Sequence, residues 1–286
     1  MFQERSFYKK AKYIFKKLKL VKRRISTNAL SKKQLKNEFK SMGLKKGQSV
    51  FVHSSLSSLG YVKGGVDTVV DSLIETVGRE GTVAVPTFPF SGSMADYVEN
   101  YVCFDVNKTP SKMGIITEKI REKPSAVRSP HPTHPVAAIG SQALYLTKDH
   151  DKSLFPFDKN SPFYRLIELK GKVLLLGASY ETMTIMRTFE CVVENYPLPI
   201  YFDNPVTLKY FDANHEKKEI VTKVQNPRFS KVRKNEIIGE YLDKNSIAKI
   251  RQIGNATVRL VDVGDLLVIM DELLKKNIIG YQVDQL

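Results

Sequence analysis

Apolar and polar positions follow two rhythms along this chain. Short continuous apolar runs, SVFVHSS at 49–55, EGTVAVPTF at 80–88 and KVLLLGA at 172–178, predict strands buried on both faces. Between the first two, GGVDTVVDSLIETVG brings Val66, Val69, Val70, Leu73, Ile74 and Val77 to one side at helical spacing, with Gly78 past the end. Strand, loop, helix, strand is a βαβ unit, and its crossover is long enough for parallel pairing. Upstream, NALSKKQLKNEFKSMGLKKGQ predicts a helix capped by Ser31, with Leu35, Phe39 and Met42 apolar and Gly43 as its stop. MGIITEKIREKP, SPFYRLIEL and TMTIMRTFECVVEN predict further helices. HPTHPVAAIG predicts a turn followed by a strand, VTLKYFDAN and EKKEIVTKV alternating strands, and ATVRLVDVGDLLVIMDELLKK a strand and a closing helix. Residues 88–112 are irregular and polar, and so long a connection predicts a functional loop. The class is α/β, a mixed sheet with flanking helices and antiparallel additions, with no repeat and no clean linker.

Composition changes this picture little; charge changes it at one end. A chain of 286 residues can bury a large core, and 42% apolar with 26% charged residues is ordinary for a globular protein. No run of about 18 apolar residues occurs, so nothing is predicted to span a bilayer. The basic start lacks the apolar stretch and cleavage site of a secretory signal. Cys103 and Cys191 lie far apart and are expected as free thiols in a reducing cytoplasm. Much of the net charge of +15 sits in the first 24 residues, where Glu4 is the only acid. Residues 1–26 therefore form a basic arm ahead of a domain over 27–286. As a helix, the arm would place Phe7, Ala11, Ile14, Phe15, Leu18 and Val21 on one stripe. Such a helix suits either peripheral contact of residues 1–24 with an anionic membrane or packing on the domain. No nucleic-acid partner is expected, since no zinc-finger, homeodomain or RNA-recognition signature is present.

FVHSSLSSLGYVKGG, at 51–65, runs from a buried strand into small hydroxyls and glycines ahead of a helix. In open α/β sheets ligands sit outside the carboxyl ends of the strands, where loop and helix-start amides favour anionic groups. The same residues would also make a helix cap and turn without a ligand. Other stretches weigh on that choice. HSSLSSLG with GG, EGTVAVPTF, SKMGI, RSPHPTHPVAAIG, SPF with GKVLLLGAS, TIMRTFE and IGNATVRL occur in one order. Together they resemble the aminoglycoside 3-N-acetyltransferase family, or antibiotic N-acetyltransferase superfamily, across roughly residues 30–275. The resemblance implies that fold, acetyl-CoA as donor and a free amine on a sugar-like acceptor. It implies coenzyme contacts at Ser54, Ser55, Ser58, Gly64 and Gly65, with Thr87 and Ser111 beside the same cleft.

Acyl transfer from a thioester to an amine needs a proton acceptor, stabilisation of the tetrahedral oxyanion and departure of the thiolate. A positioned base contributes about 10² to 10⁴-fold, and backbone amides of the Ser54 loop could serve the oxyanion. His134, on the proline-constrained HPTH turn, is a candidate base or a structural turn residue; His131 is a candidate substrate contact. His53 ends a strand and could simply fill a turn. Two histidines three apart could ligate a metal, but no second ligand pair with zinc-like spacing accompanies them, so no metal is expected. His150 and His215 lie in polar stretches and are expected to be exposed. The family's TxxHxxE motif reads TIMRTFE: Thr184 and Glu190 match, but Arg187 replaces the histidine. Arginine cannot act as a base at neutral pH. Either His134 and Glu190 supply the base, or catalysis is lost. Arg187 would grip an anionic substrate group or pair with Glu190 one turn along. Cys191 offers a thiol nucleophile, against the simpler expectation of an inert buried cysteine, and direct transfer is favoured.

The charge of +15 and Arg187 together favour an anionic acceptor, such as a nucleotide- or lipid-diphosphate-linked amino sugar in cell-surface polysaccharide biosynthesis. The enzyme would then be cytoplasmic, or peripheral at the inner face of the cytoplasmic membrane. Two alternatives stand beside this reading: an aminoglycoside 3-N-acetyltransferase conferring resistance, and an inactive homologue that binds CoA or a glycan. A homo-oligomer is compatible with each.

Overall fold

The computed structural model of the protein describes residues 29–285. The basic arm, and the amphipathic helix expected in it, lie outside the described residues. Helix α1 (Lys32–Ser41) starts at the expected cap: Ser31 and Gln34 bond each other's backbone reciprocally. Strand β1 (Ser49–Ser54), helix α2 (Gly65–Val77) and strand β2 (Thr82–Pro86) form the expected βαβ unit, with β1 and β2 parallel. Strand β6 (Lys172–Leu176) joins β1 in parallel on its other side. Around this centre β5 (Val136–Gly140) pairs antiparallel with β2, and β4 (Val127–Arg128) with β5. On the far flank β10 (Ala256–Asp262) pairs antiparallel with β6, and β9 (Lys249–Ile253) with β10. The seven-stranded order is β4-β5-β2-β1-β6-β10-β9.

The continuous apolar runs reflect a sheet covered on both faces. Val50, Val52, Leu174 and Leu176 face a core shared with α1 and α2, which contribute Leu35, Phe39, Val69 and Leu73. Phe51, Val173 and Leu175 face the opposite core. That side is closed by α5 (Ala143–Thr147), α6 (Pro162–Glu168), α7 (Met186–Val192), α9 (Glu236–Lys244) and α10 (Val263–Lys275).

Two expectations need correction. Residues 88–112 are not wholly irregular, because they hold α3 (Met94–Glu99) and β3 (Phe104–Asp105). The Ser93 hydroxyl accepts from the amides of Ala95 and Asp96, a local cap that starts a helix without apolar periodicity. The helix expected over TMTIMRTFECVVEN begins only at Met186, leaving Thr184 ahead of it. Strand β3 joins β7 (Val206–Phe211) and β8 (Lys217–Thr222) in a second, three-stranded sheet.

Arg128 binds the two sheets together. Its Nε and Nη2 donate to Thr87 Oγ1 (3.0 Å) and Thr87 O (2.7 Å), and Nη1 donates to Val106 O (3.1 Å) and Thr109 O (2.6 Å). The guanidinium also lies 4.8 Å from the centre of the Phe104 ring. Burial pushes its pKa down to about 9.

Candidate active site

The three parallel strands end on one side of the sheet, and a cavity of about 340 Å³ opens beyond them. β1 contributes His53 and Ser54 to its lining, β2 contributes Pro86 with Phe88 just beyond, and Ala178 follows β6. Antiparallel β5 begins where β2 ends, Val136 pairing with Pro86, so the turn before β5 delivers His134 to the same rim. Thr184, just ahead of α7, Arg187 in its first turn, and Gln225, after β8, close the wall.

His134 is 1% exposed and stands edge-on to Phe88, Phe90 and Phe157 at centroid distances of 4.6, 5.6 and 4.8 Å. Its Nδ1 lies 2.9 Å from Thr133 Oγ1. Burial, then the charge of Arg187, hold its pKa well below the ordinary histidine value, so the ring is neutral at pH 7. His53 is neutral for the same two reasons, pushed down to about 3, and its Nε2 lies 3.3 Å from Thr184 Oγ1. Arg187 Nη1 donates to Gln225 Oε1 at 2.9 Å, and the guanidinium lies 5.4 Å from the Phe157 ring centre. Among the described residues no carboxylate is within salt-bridge reach of Arg187. Ser54 carries a buried hydroxyl that finds no hydrogen-bond partner among the described residues.

Of the residues singled out in the sequence, His53, Ser54, His134, Thr184 and Arg187 line this cavity, and the other candidate site residues do not. His131 is fully buried behind His134. The Ser58 hydroxyl donates to Ser55 Oγ at 2.8 Å, and the Ser55 amide donates to Leu176 O at 3.0 Å, so this pair shapes the loop itself. Gly64 and Gly65 turn the chain into α2; Gly64 has φ 84°, and a Cβ there would lie 2.3 Å from Thr68 Oγ1. Thr87 donates to Pro135 O at 3.0 Å and accepts from Arg128, so its hydroxyl is occupied by the fold. Ser111 Oγ lies 3.0 Å from Thr117 Oγ1, one hydroxyl behind a cavity residue.

Glu190 departs furthest from expectation. It does not pair with Arg187. Arg233, 43 positions along, takes it bidentately at 2.6 and 2.7 Å, and the Tyr281 hydroxyl donates to it at 3.0 Å. Its side chain is 4% exposed and outside the cavity lining, which leaves His134 alone of the two candidate bases there.

His150 was expected to be exposed and is instead fully buried, Nε2 donating to Pro156 O and Nδ1 accepting from Ser129 Oγ, both at 2.9 Å. The polar stretch around it folds over the ring, which local composition does not register. Cys191 is half-buried, and its surroundings push its thiol up to about 12, far from a thiolate nucleophile at neutral pH. Sequence reasoning passed over Phe88, Phe90, Gln225 and Glu181. The aromatic pair in PTFPF, just past a buried strand, was a readable signal; Gln225 and Glu181 gave none.

Among the described residues no group of three His, Cys, Asp or Glu is placed to hold a metal ion, and no helix is long and apolar enough to cross a membrane. The fold and the rim of small hydroxyls and a neutral histidine belong with acyltransferases that work from acetyl-CoA. Comparison makes this specific: the chain belongs to the antibiotic N-acetyltransferase family, described as aminoglycoside 3-N-acetyltransferase, whose pattern matches residues 51–275. It is 29% identical over 271 residues to aminoglycoside N(3)-acetyltransferase VII of Streptomyces paromomycinus, covering 87% of this chain and 92% of that protein. The solved aminoglycoside acetyltransferase AAC(3)-Xa matches with a TM-score of 0.72 at 26% identity, covering 89% and 95% of the two chains. AAC-IIIb bound to CoASH matches in fold with a TM-score of 0.75 at 22% identity, covering 88% and 98%.

These relatives overturn the expected role in cell-surface polysaccharide biosynthesis, and with it the anionic amino-sugar acceptor, since those proteins are named for aminoglycosides. The error lay in reading a local property from a global one. Much of the +15 belongs to the first 24 residues, while the cavity carries a carboxylate, Glu181, at its exposed edge.

Proposed function

We propose that this protein transfers the acetyl group of acetyl-CoA to an amino group of an aminoglycoside, with His134 taking the amine's proton. The observation that carries the reading is a neutral, almost fully buried histidine facing a cavity at the carboxyl ends of the parallel strands. Bound acetyl-CoA supplies the acetyl thioester. The residues present fit it: Ser54 offers a buried hydroxyl without a hydrogen-bond partner among the described residues, and the loop to Ser58 and the first amides of α2 at Gly65 are where its polar groups would be held.

Arg187 changes the proton chemistry of the cavity. A fixed cation beside an entering amine favours the neutral form of that amine, the form that can attack a carbonyl. The same charge keeps His134 unprotonated. An acceptor with several ammonium groups meets Glu181 at the mouth, where the carboxylate also accepts from the amides of Asn235 (3.3 Å) and Glu236 (3.4 Å). Entry past an acid towards a cation sorts the amines of one molecule into charged ones held outside and a neutral one inside.

The test is thiol release from acetyl-CoA with deoxystreptamine aminoglycosides as acceptors. Wild-type protein should turn over, and His134→Ala should lose about 10² to 10⁴-fold in kcat while still binding CoA. No turnover of any such acceptor, or turnover unaffected by His134→Ala, would overturn the reading.

A further inference from the structure

A buried run of hydrogen bonds leads away from His134, and each partner restricts the next. At its far end the Thr222 hydroxyl donates to Leu154 O at 3.1 Å. With its hydrogen so used, Thr222 Oγ1 accepts from His131 Nε2, 3.4 Å away. The other nitrogen of His131 agrees independently: its Nδ1 faces the backbone amides of Thr133 and His134, both at 3.3 Å. Amides only donate, so Nδ1 of His131 holds a lone pair and Nε2 holds the proton.

Thr133 Oγ1 stands between the two rings, 3.2 Å from His131 Nδ1 and 2.9 Å from His134 Nδ1. If its hydrogen pointed to His134, two lone pairs would oppose each other across the gap to His131, in a site sealed from water. Pointed to His131, every contact is a donor meeting an acceptor. The proton of His134 then sits on Nδ1, bonded to Thr133, and no described residue bonds its Nε2. Arg187 from α7, His150 beneath His131, and the rings of Phe88, Phe90 and Phe157 are the other groups around this pair.

We infer that Thr133 and His131 are positioning residues that fix the His134 tautomer, leaving Nε2 as a lone pair directed at the acceptor amine. This rests on the proposed role of His134 and deepens it. The proton leaves the amine nitrogen for Nε2 as the amine lone pair forms the new N–C bond; the thioester C–S bond then breaks, the departing thiolate takes the proton back from Nε2, and Nδ1–H stays bonded to Thr133 while the ring is cationic. His131 touches nothing that reacts; it matters because it takes the hydrogen that Thr133 would otherwise turn towards His134. The arrangement serves the purpose of the carboxylate behind many basic histidines, using neutral groups suited to a wall that already contains Arg187.

The test reads the tautomer directly, by ¹⁵N NMR of histidine-labelled full-length protein, with His134 assigned by its disappearance in His134→Gln. Wild type and Thr133→Ser should show His134 protonated at Nδ1 and bare at Nε2. Thr133→Val should mix the two forms and lower kcat by about 10- to 100-fold with KM nearly unchanged, whereas Thr133→Ser stays close to wild type. A proton on Nε2 in wild type would overturn the inference, as would a Thr133→Val variant with unaltered tautomer and kcat. The expected tautomers in a protein that acetylates no aminoglycoside would support the relay and sink the function proposed above.

Discussion

Two charges on helix α7, one turn apart, sit in opposite surroundings. Glu190 is enclosed by Arg233 and Tyr281, and its charge is paired where little solvent reaches. Arg187 looks into the cavity, held by the amide of Gln225 and the ring of Phe157, and no acid among the described residues forms an ion pair with it. The motif shared by both residues gives no hint of this division. The closed side is built for rigidity, since a buried pair with both oxygens satisfied fixes the helix against the chain end carrying Tyr281. The open side keeps a cation without a direct ion pair among the described residues, which acts on whatever enters and on the two neutral histidines facing it.

Removing one member of the closed pair should give the largest effect. Glu190→Ala leaves Arg233, 6% exposed, without a counter-charge and should cost about 3–5 kcal/mol in denaturant unfolding. Arg187→Met should change stability far less, because it removes a charge that the fold does not pair. Equal losses for the two would erase the distinction. The next effect is on pH dependence. His134 must be neutral to accept a proton, and its folded pKa lies below the ordinary value through burial first and Arg187 second. Activity is therefore present above that pKa and lost as pH falls through it. Arg187→Met removes one depressing cause, so the acid limb of the kcat profile should move to higher pH, towards but not beyond the histidine range; an unmoved limb would mean that Arg187 does not reach His134. The smallest effect concerns Cys191, on the closed side of the helix. Its thiol is raised to about 12 by burial, and Cys191→Ser should leave turnover unchanged within about twofold. A large loss would return the thiol to consideration as a nucleophile.

The centre of the fold was legible because its signals are local. β1, α2, β2 and β6 each carry their own periodicity or unbroken apolar run, and Ser31 and Gly78 mark helix ends by chemistry that needs no distant partner. β9 was not legible: KIRQI buries only Ile253 and offers no alternation to read. The site divides similarly. Ser54 ends a strand that the pattern located and His134 precedes another, but that strand is antiparallel, and Thr184 and Arg187 reach them through a helix that starts later than the pattern predicted, so their convergence was not legible. Glu190 went astray because its partner is Arg233, on a segment with no sequence link to it, and His150 because burial by a folded-back loop leaves no mark in composition. The acceptor was misjudged because net charge sums over a chain, whereas recognition samples one cavity.

Arg128 has a consequence for access. Its guanidinium holds Thr87 at the end of β2 and Val106 just past β3, so the stretch between them, which supplies Phe88, Phe90, Gly92 and Met94 to the cavity, is fastened at both feet to one buried group. A segment tied in this way is an arch, not a flap. Moving the segment as a whole would break hydrogen bonds that Arg128 makes in a buried setting. If the cavity takes the proposed acceptor, this anchored segment helps set the size and shape of what can enter.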